Sequence, residues 1–126
     1  MKTNNFRTAI IITIILALAV TSAGAQKKAT IHGEIVELTS YIKDGMKPTS
    51  SSKKEVVLES VRKGGALAIV EKPSGKLYII AASQSDTSFM KNVTPYLGVK
   101  SFVKGAVYSK GGIKIIILED IGKSLK

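Results

Sequence analysis

The chain has one histidine, His32, and no cysteine in 126 residues. Those two counts exclude thiolate metal sites, cysteine nucleophiles and any multi-histidine metal centre within one chain. His32 stands two residues before Glu34 in the stretch "TIHGEIVEL". On a strand, that spacing puts both side chains on one face. Such a pair could do acid–base work, but it is also what an ordinary surface pairing across strands looks like, and we adopt the second reading. Glu34 and Glu37 fall on opposite faces, so they do not form a carboxylate pair for glycoside cleavage. Glu119 and Asp120 read as solvated charges at a strand end. "KGG" occurs at Lys63 and Lys110 without the surroundings of a phosphate-binding loop. No cofactor and no metal is implied, and the chain reads as a non-enzyme.

A different pattern lies near the C-terminus. At a period of two, Lys100, Phe102, Lys104, Ala106, Tyr108 and Lys110 share one face, and Ser101, Val103, Gly105, Val107 and Ser109 share the other. The second set suits a barrel interior. The first interleaves lysines with aromatics, the kind of surface on which aromatic rings stack and cations meet anionic groups. Lys76 and Tyr78 read the same way on an earlier strand. The candidate ligand-binding residues are therefore Tyr78, Lys100, Phe102, Lys104, Tyr108 and Lys110. The competing reading is a solvated strand whose aromatics cover a neighbouring loop or helix.

The N-terminus bears on compartment. Lys2 and Arg7 precede the apolar run Ala9–Val20, and "AGA" at 23–25 offers small residues for a signal peptidase. The expectation is a signal peptide over 1–25, cleavage before Gln26, and a periplasmic or secreted bacterial protein. A retained anchor is the alternative, although the run is shorter than the roughly 20 residues of a span. Cleavage removes two basic residues and no acids, leaving 101 residues with 17 basic and nine acidic, a net of +8. Arg62 is then the only arginine. Lysine in place of the bidentate arginine fork favours diffuse attraction to an anionic surface, such as envelope glycan or lipid head groups. Nucleic acid stays open as a partner, and so does another protein. "NVT" at Asn92 matches a glycosylation tripeptide, but Pro95 follows it and the leader is bacterial in type.

The elements that must position these residues form one domain over 26–126. Ala29–Leu38 reads as a strand. Thr39–Lys54, polar with four consecutive Ser/Thr residues, reads as a mobile loop. Ser52 and Glu55 make a capping box for a helix over Lys53–Lys63, and Gly64 stands as its C-terminal cap. "ALAIVEK" and "LYIIAA" flank a turn and form a hairpin. Ser85 or Asp86 can cap a short helix that Pro95 distorts. Strands at Val99–Ser109 and Ile113–Leu118 form a second hairpin, and Gly122–Lys126 reads as a frayed basic tail. This order predicts a mainly β fold: a five-stranded antiparallel OB-fold-like barrel, with a helix in the connection between the first two strands and a short helix between the third and fourth. Gly33 and Gly105, each between apolar neighbours in a strand, are expected at the corners where such a barrel bends or closes.

"IHGEIVEL", Arg62–Ile80 and above all "PYLGVKSFVKGAVY" resemble a group of small exported bacterial OB-fold proteins, largely uncharacterised. The resemblance spans the mature chain and implies fold and compartment, not a reaction. Many relatives place cysteines at positions near Ser40, Val56 and Ser60. This chain has none, so no metal or redox role is implied for it. Taken together, the sequence suggests an exported module that binds an anionic ligand or polymer. The alternative is an accessory envelope protein that uses the Thr39–Lys54 segment as its contact.

Overall fold

The two strand glycines sit where the chain touches itself most closely. In the computed structural model, which describes residues 27–125, strand β1 (Lys27–Glu37) pairs on both sides. Its residues 27–34 lie against β4 (Lys100–Lys110), and its residues 33–37 lie against β2 (Leu67–Glu71). Gly33 belongs to both ladders, opposite Glu71 on one side and Ser101 on the other. A Cβ there would stand 1.8 Å from the Val70 carbonyl oxygen. Gly105 is equivalent in β4. Its Cβ would stand 1.8 Å from the Ile117 oxygen of β5 (Ile113–Lys123), beside a register shift between Lys104 and Gly105. In both cases the obstacle is backbone, which cannot rotate away as a side chain would.

With β3 (Leu77–Ala81) the strands close in the order β1-β2-β3-β5-β4. The expected OB-fold-like barrel is present, with one correction to "antiparallel": β3 and β5 run parallel. Geometry requires this, because a closed ring with an odd number of strands cannot alternate direction all the way round. Ile35, Ile69, Ile80, Val103 and Ile116 fill the interior. Val57, Val93 and Leu97 join that cluster from the connecting segments, and each is essentially buried.

The connection from β1 to β2 holds the expected helix, but its Thr39–Lys54 part differs from the expected mobile loop. It holds two helices, α1 (Leu38–Asp44) and α2 (Ser51–Arg62). Buried Glu37 caps α1, its carboxylate accepting from the backbone N–H groups of Thr39 and Ser40. Helix α2 starts earlier than the capping box implied. Ser50, not Ser52, is the N-cap and accepts from the Lys53 N–H at 3.3 Å. At its end Gly64 has φ +104. Gly64 N–H donates to Val61 O at 3.0 Å and Gly65 N–H to Ser60 O at 2.8 Å, a Schellman closure. The third helix, α3 (Phe89–Val93), follows Ser88, whose N–H donates to the Asp86 carboxylate at 2.8 Å. Pro95 converts its continuation into a 3₁₀ turn at Thr94–Tyr96.

Two further corrections concern surfaces. Val36, Ala68 and Val70 form a second buried cluster, against which Leu38 and Tyr41 of α1 and Leu77 pack. Val36 and Val70 alternate with interior residues, so this cluster lies outside the barrel, and α1 covers the outer side of β1 and β2. The C-terminal tail is not frayed from Gly122 onward. Strand β5 runs to Lys123, and Ser124 N–H donates to Lys100 O at 2.9 Å. Among the described residues no helix is long and apolar enough to cross a membrane.

Candidate functional site

Strand β4 keeps its alternation along its length because β5 absorbs the bulge. Lys104 faces Asp120 and Gly105 faces Leu118, so Glu119 is the extra residue. Ser101, Val103 and Gly105 are buried on the inner side, with Ser101 Oγ donating to Val99 O at 2.8 Å. Phe102, Lys104, Ala106 and Tyr108 alternate with them on the outer side. Lys100, Lys104, Tyr108 and Lys110 are exposed. Five of the six candidate residues therefore lie on one outer strand face.

Tyr78 does not join them. It is 8 % exposed and belongs to the barrel core, sharing the inner face of β3 with Ile80. Lys76 precedes the first strand residue, Leu77, and belongs to the turn, so the supposed shared face does not exist. Burial, with a smaller push from Glu71, holds the Tyr78 hydroxyl above the ordinary phenol range.

The outer face has two separate stations. Phe102 and Tyr108 are six residues apart, about 20 Å along a strand. At the first station Phe102 lies between His32 of β1 and Gly122 of β5, its partners in the two ladders. Its ring centroid is 6.1 Å from that of His32, with the planes tilted by 50°. On the other side the ring covers Gly122, where a Cβ would stand 2.7 Å from Phe102 Cε1. The ring thus lies across the sheet, half-buried. Beside it is a depression of about 490 Å³ lined by His32, Gly33, Lys72, Pro73, Lys100 and Ser124.

His32 and Glu34 do share the outer face of β1, but each has its own partner. His32 Nδ1 is 2.8 Å from Ser124 Oγ. Glu34 meets Lys72 at 2.5 Å and Lys47 at 3.5 Å. The hydrogen bond from Lys72, helped by the charge of Lys47, holds the Glu34 carboxyl below its ordinary range against the opposing effect of burial. Lys72 is brought here by the backbone, its N–H donating to His32 O at 3.0 Å.

Around Lys104 the positive charge is partly compensated, by Asp120 opposite and by the Lys28–Glu119 ion pair. At the second station Tyr108 stands in a row with Ile115 and Ile79 from β5 and β3. Sequence reasoning missed Lys72, Ser124 and Gly122 as parts of the first station. The register of β1 against β2 would have placed Lys72, whereas nothing local marked Ser124.

Among the described residues no group of three or more His, Asp or Glu side chains could hold a metal ion. No family model, no curated protein and no solved structure matches the chain.

Proposed function

We propose that this chain is an exported binding module that attaches to an anionic ligand or polymer through the outer face of β4. One observation carries the reading. Phe102 is seated between His32 and Gly122, and its neighbours His32 and Lys100 border a depression that Lys72, paired with Glu34, also lines. The outer strand 2–3 face that OB-folds commonly use for polymers is obstructed here, where α1 packs over β2. That leaves β4 as the candidate. Envelope glycan, lipid head groups and single-stranded nucleic acid all present the anionic chemistry this surface would take. Export follows from the leader at 1–25, which lies outside the described residues.

Titrations of labelled dextran sulfate and labelled oligothymidylate at several salt concentrations test the reading. Lys100→Gln should reduce the salt dependence, for the oligonucleotide by roughly 0.7 in slope for each phosphate that is no longer neutralised. Phe102→Leu should weaken binding by about 1–3 kcal/mol with the slope unchanged. If Phe102→Leu binds like wild type and only total charge matters, the accessory-protein reading takes over. Ile42 of α1, 66 % exposed, and Val56 of α2, 52 % exposed, favour a protein contact on that side.

A further inference from the structure

The second station is too apolar for a simple cation patch. Ile79, Ile115 and Tyr108 form one row across β3, β5 and β4, and Ala81, Ile117 and Ala106 form the next. Ile79, Ile115 and Ile117 are only half-buried, and none packs on either buried cluster. At the tip of the β4–β5 hairpin Ile113 is 61 % exposed and Tyr108 43 %. Lys110, opposite Ile113, shares their face, Lys114 stands opposite Ser109 on the other face, and no acidic residue occurs from Tyr108 to Leu118. Apolar side chains projecting among lysines match a surface that is anionic at its boundary and apolar just below it.

The path of the chain points to the same end of the barrel. Lys27 pairs with Val107, beside the hairpin tip. Only six residues separate Lys27 from Val20, the end of the apolar N-terminal run. Six extended residues reach about 20 Å. Where the expected leader enters a bilayer, this end of the barrel is within that reach of it.

We propose that the β4–β5 hairpin tip and the adjoining Ile79–Ile115–Tyr108 row dock on an anionic lipid bilayer, with Ile113 and Tyr108 entering the interface beside Lys110. This rests on the anionic-ligand reading and commits this end of the barrel to lipid.

The chain has no tryptophan, so Tyr108→Trp supplies a single reporter. With phosphatidylcholine vesicles containing phosphatidylglycerol its emission should shift to the blue, and with phosphatidylcholine alone it should not. In co-sedimentation on the same vesicles, Ile113→Asp should lower partitioning by about tenfold or more, the scale set by burying one such side chain. Lys91→Gln, exposed on α3 and outside both stations, should leave it within about twofold. Ile113 is exposed at a turn, and far-UV circular dichroism would check that Ile113→Asp folds. Ile113→Asp partitioning like wild type, or no blue shift on the anionic vesicles, overturns the proposal. If dextran sulfate is still bound in that case, the anionic-ligand reading survives without lipid docking. If neither vesicles nor dextran sulfate is bound at low salt, both fail.

Discussion

Gly105→Ala adds one methyl group at one of the two tightest backbone approaches between the strands. Its Cβ would stand 1.8 Å from Ile117 O and 3.3 Å from Ile116 Cγ1, against an ordinary contact of 3.4 Å or more. The first gap must therefore open by about 1.6 Å. Ile117 cannot yield that much in isolation. It pairs with Ala106 on one side and Ala81 on the other, so moving its carbonyl strains two ladders. Overpacking of this kind costs about 1–3 kcal/mol, and a disturbed ladder hydrogen bond adds about 1 kcal/mol. A total of about 3 kcal/mol is a large part of the roughly 5–15 kcal/mol available to a domain. With a urea m value of about 1.5 kcal/mol/M, the midpoint should fall by about 2 M. Lys104→Ala is the control, adjacent in sequence and exposed on the outer side. Ala106→Val is a poor control, because Ala106 is 4 % exposed between Lys28 and Ile117. Equal urea midpoints for Gly105→Ala and Lys104→Ala would refute the closure argument.

Gly122→Val should displace the Phe102 ring, which can swing aside, so it should cost less than Gly105→Ala in urea while weakening dextran sulfate binding about as much as Phe102→Leu does. Glu34 has its carboxyl pKa lowered by Lys72 and Lys47, so its stabilising contribution is full above the usual carboxylate range and is lost as pH falls through its lowered value. Urea midpoints should accordingly fall less in Glu34→Gln than in wild type between about pH 6 and about pH 3, and an equal fall would contradict this. For the leader, intact-mass measurement on protein from its native host should give a chain starting at Gln26, and a retained Met1 would refute cleavage.

Several features of the fold were legible because a local pattern and a global need coincided. Gly33 and Gly105 stood between apolar residues where a side chain was due, and both proved to be close approaches of backbone. Gly64 did end its helix. Helix α1 was hidden because its cap is Glu37, an acid at the end of a strand that looks like a surface charge but is 4 % exposed. The adjacent acids Glu119 and Asp120 read as the end of the last strand, whereas a bulge accommodates them and the strand continues to Lys123. For the site, alternation placed Lys100, Phe102, Lys104, Tyr108 and Lys110 together. It failed at Tyr78, because that face of β3 is the barrel interior, which Tyr78 shares with Ile80. That Phe102 lies over Gly122 and beside His32 depends on two long-range registers, which no local pattern encodes.

The claim that β4 is the ligand face is tested most directly by mapping backbone amide shifts of the isotopically labelled domain during titration with dextran sulfate. The account predicts that the largest changes fall on His32, Lys100, Phe102 and Lys104, with Ala68 and Val70 beneath α1 unmoved. Changes concentrated on Leu38, Tyr41, Ala68 and Val70, with the β4 amides still, would contradict it.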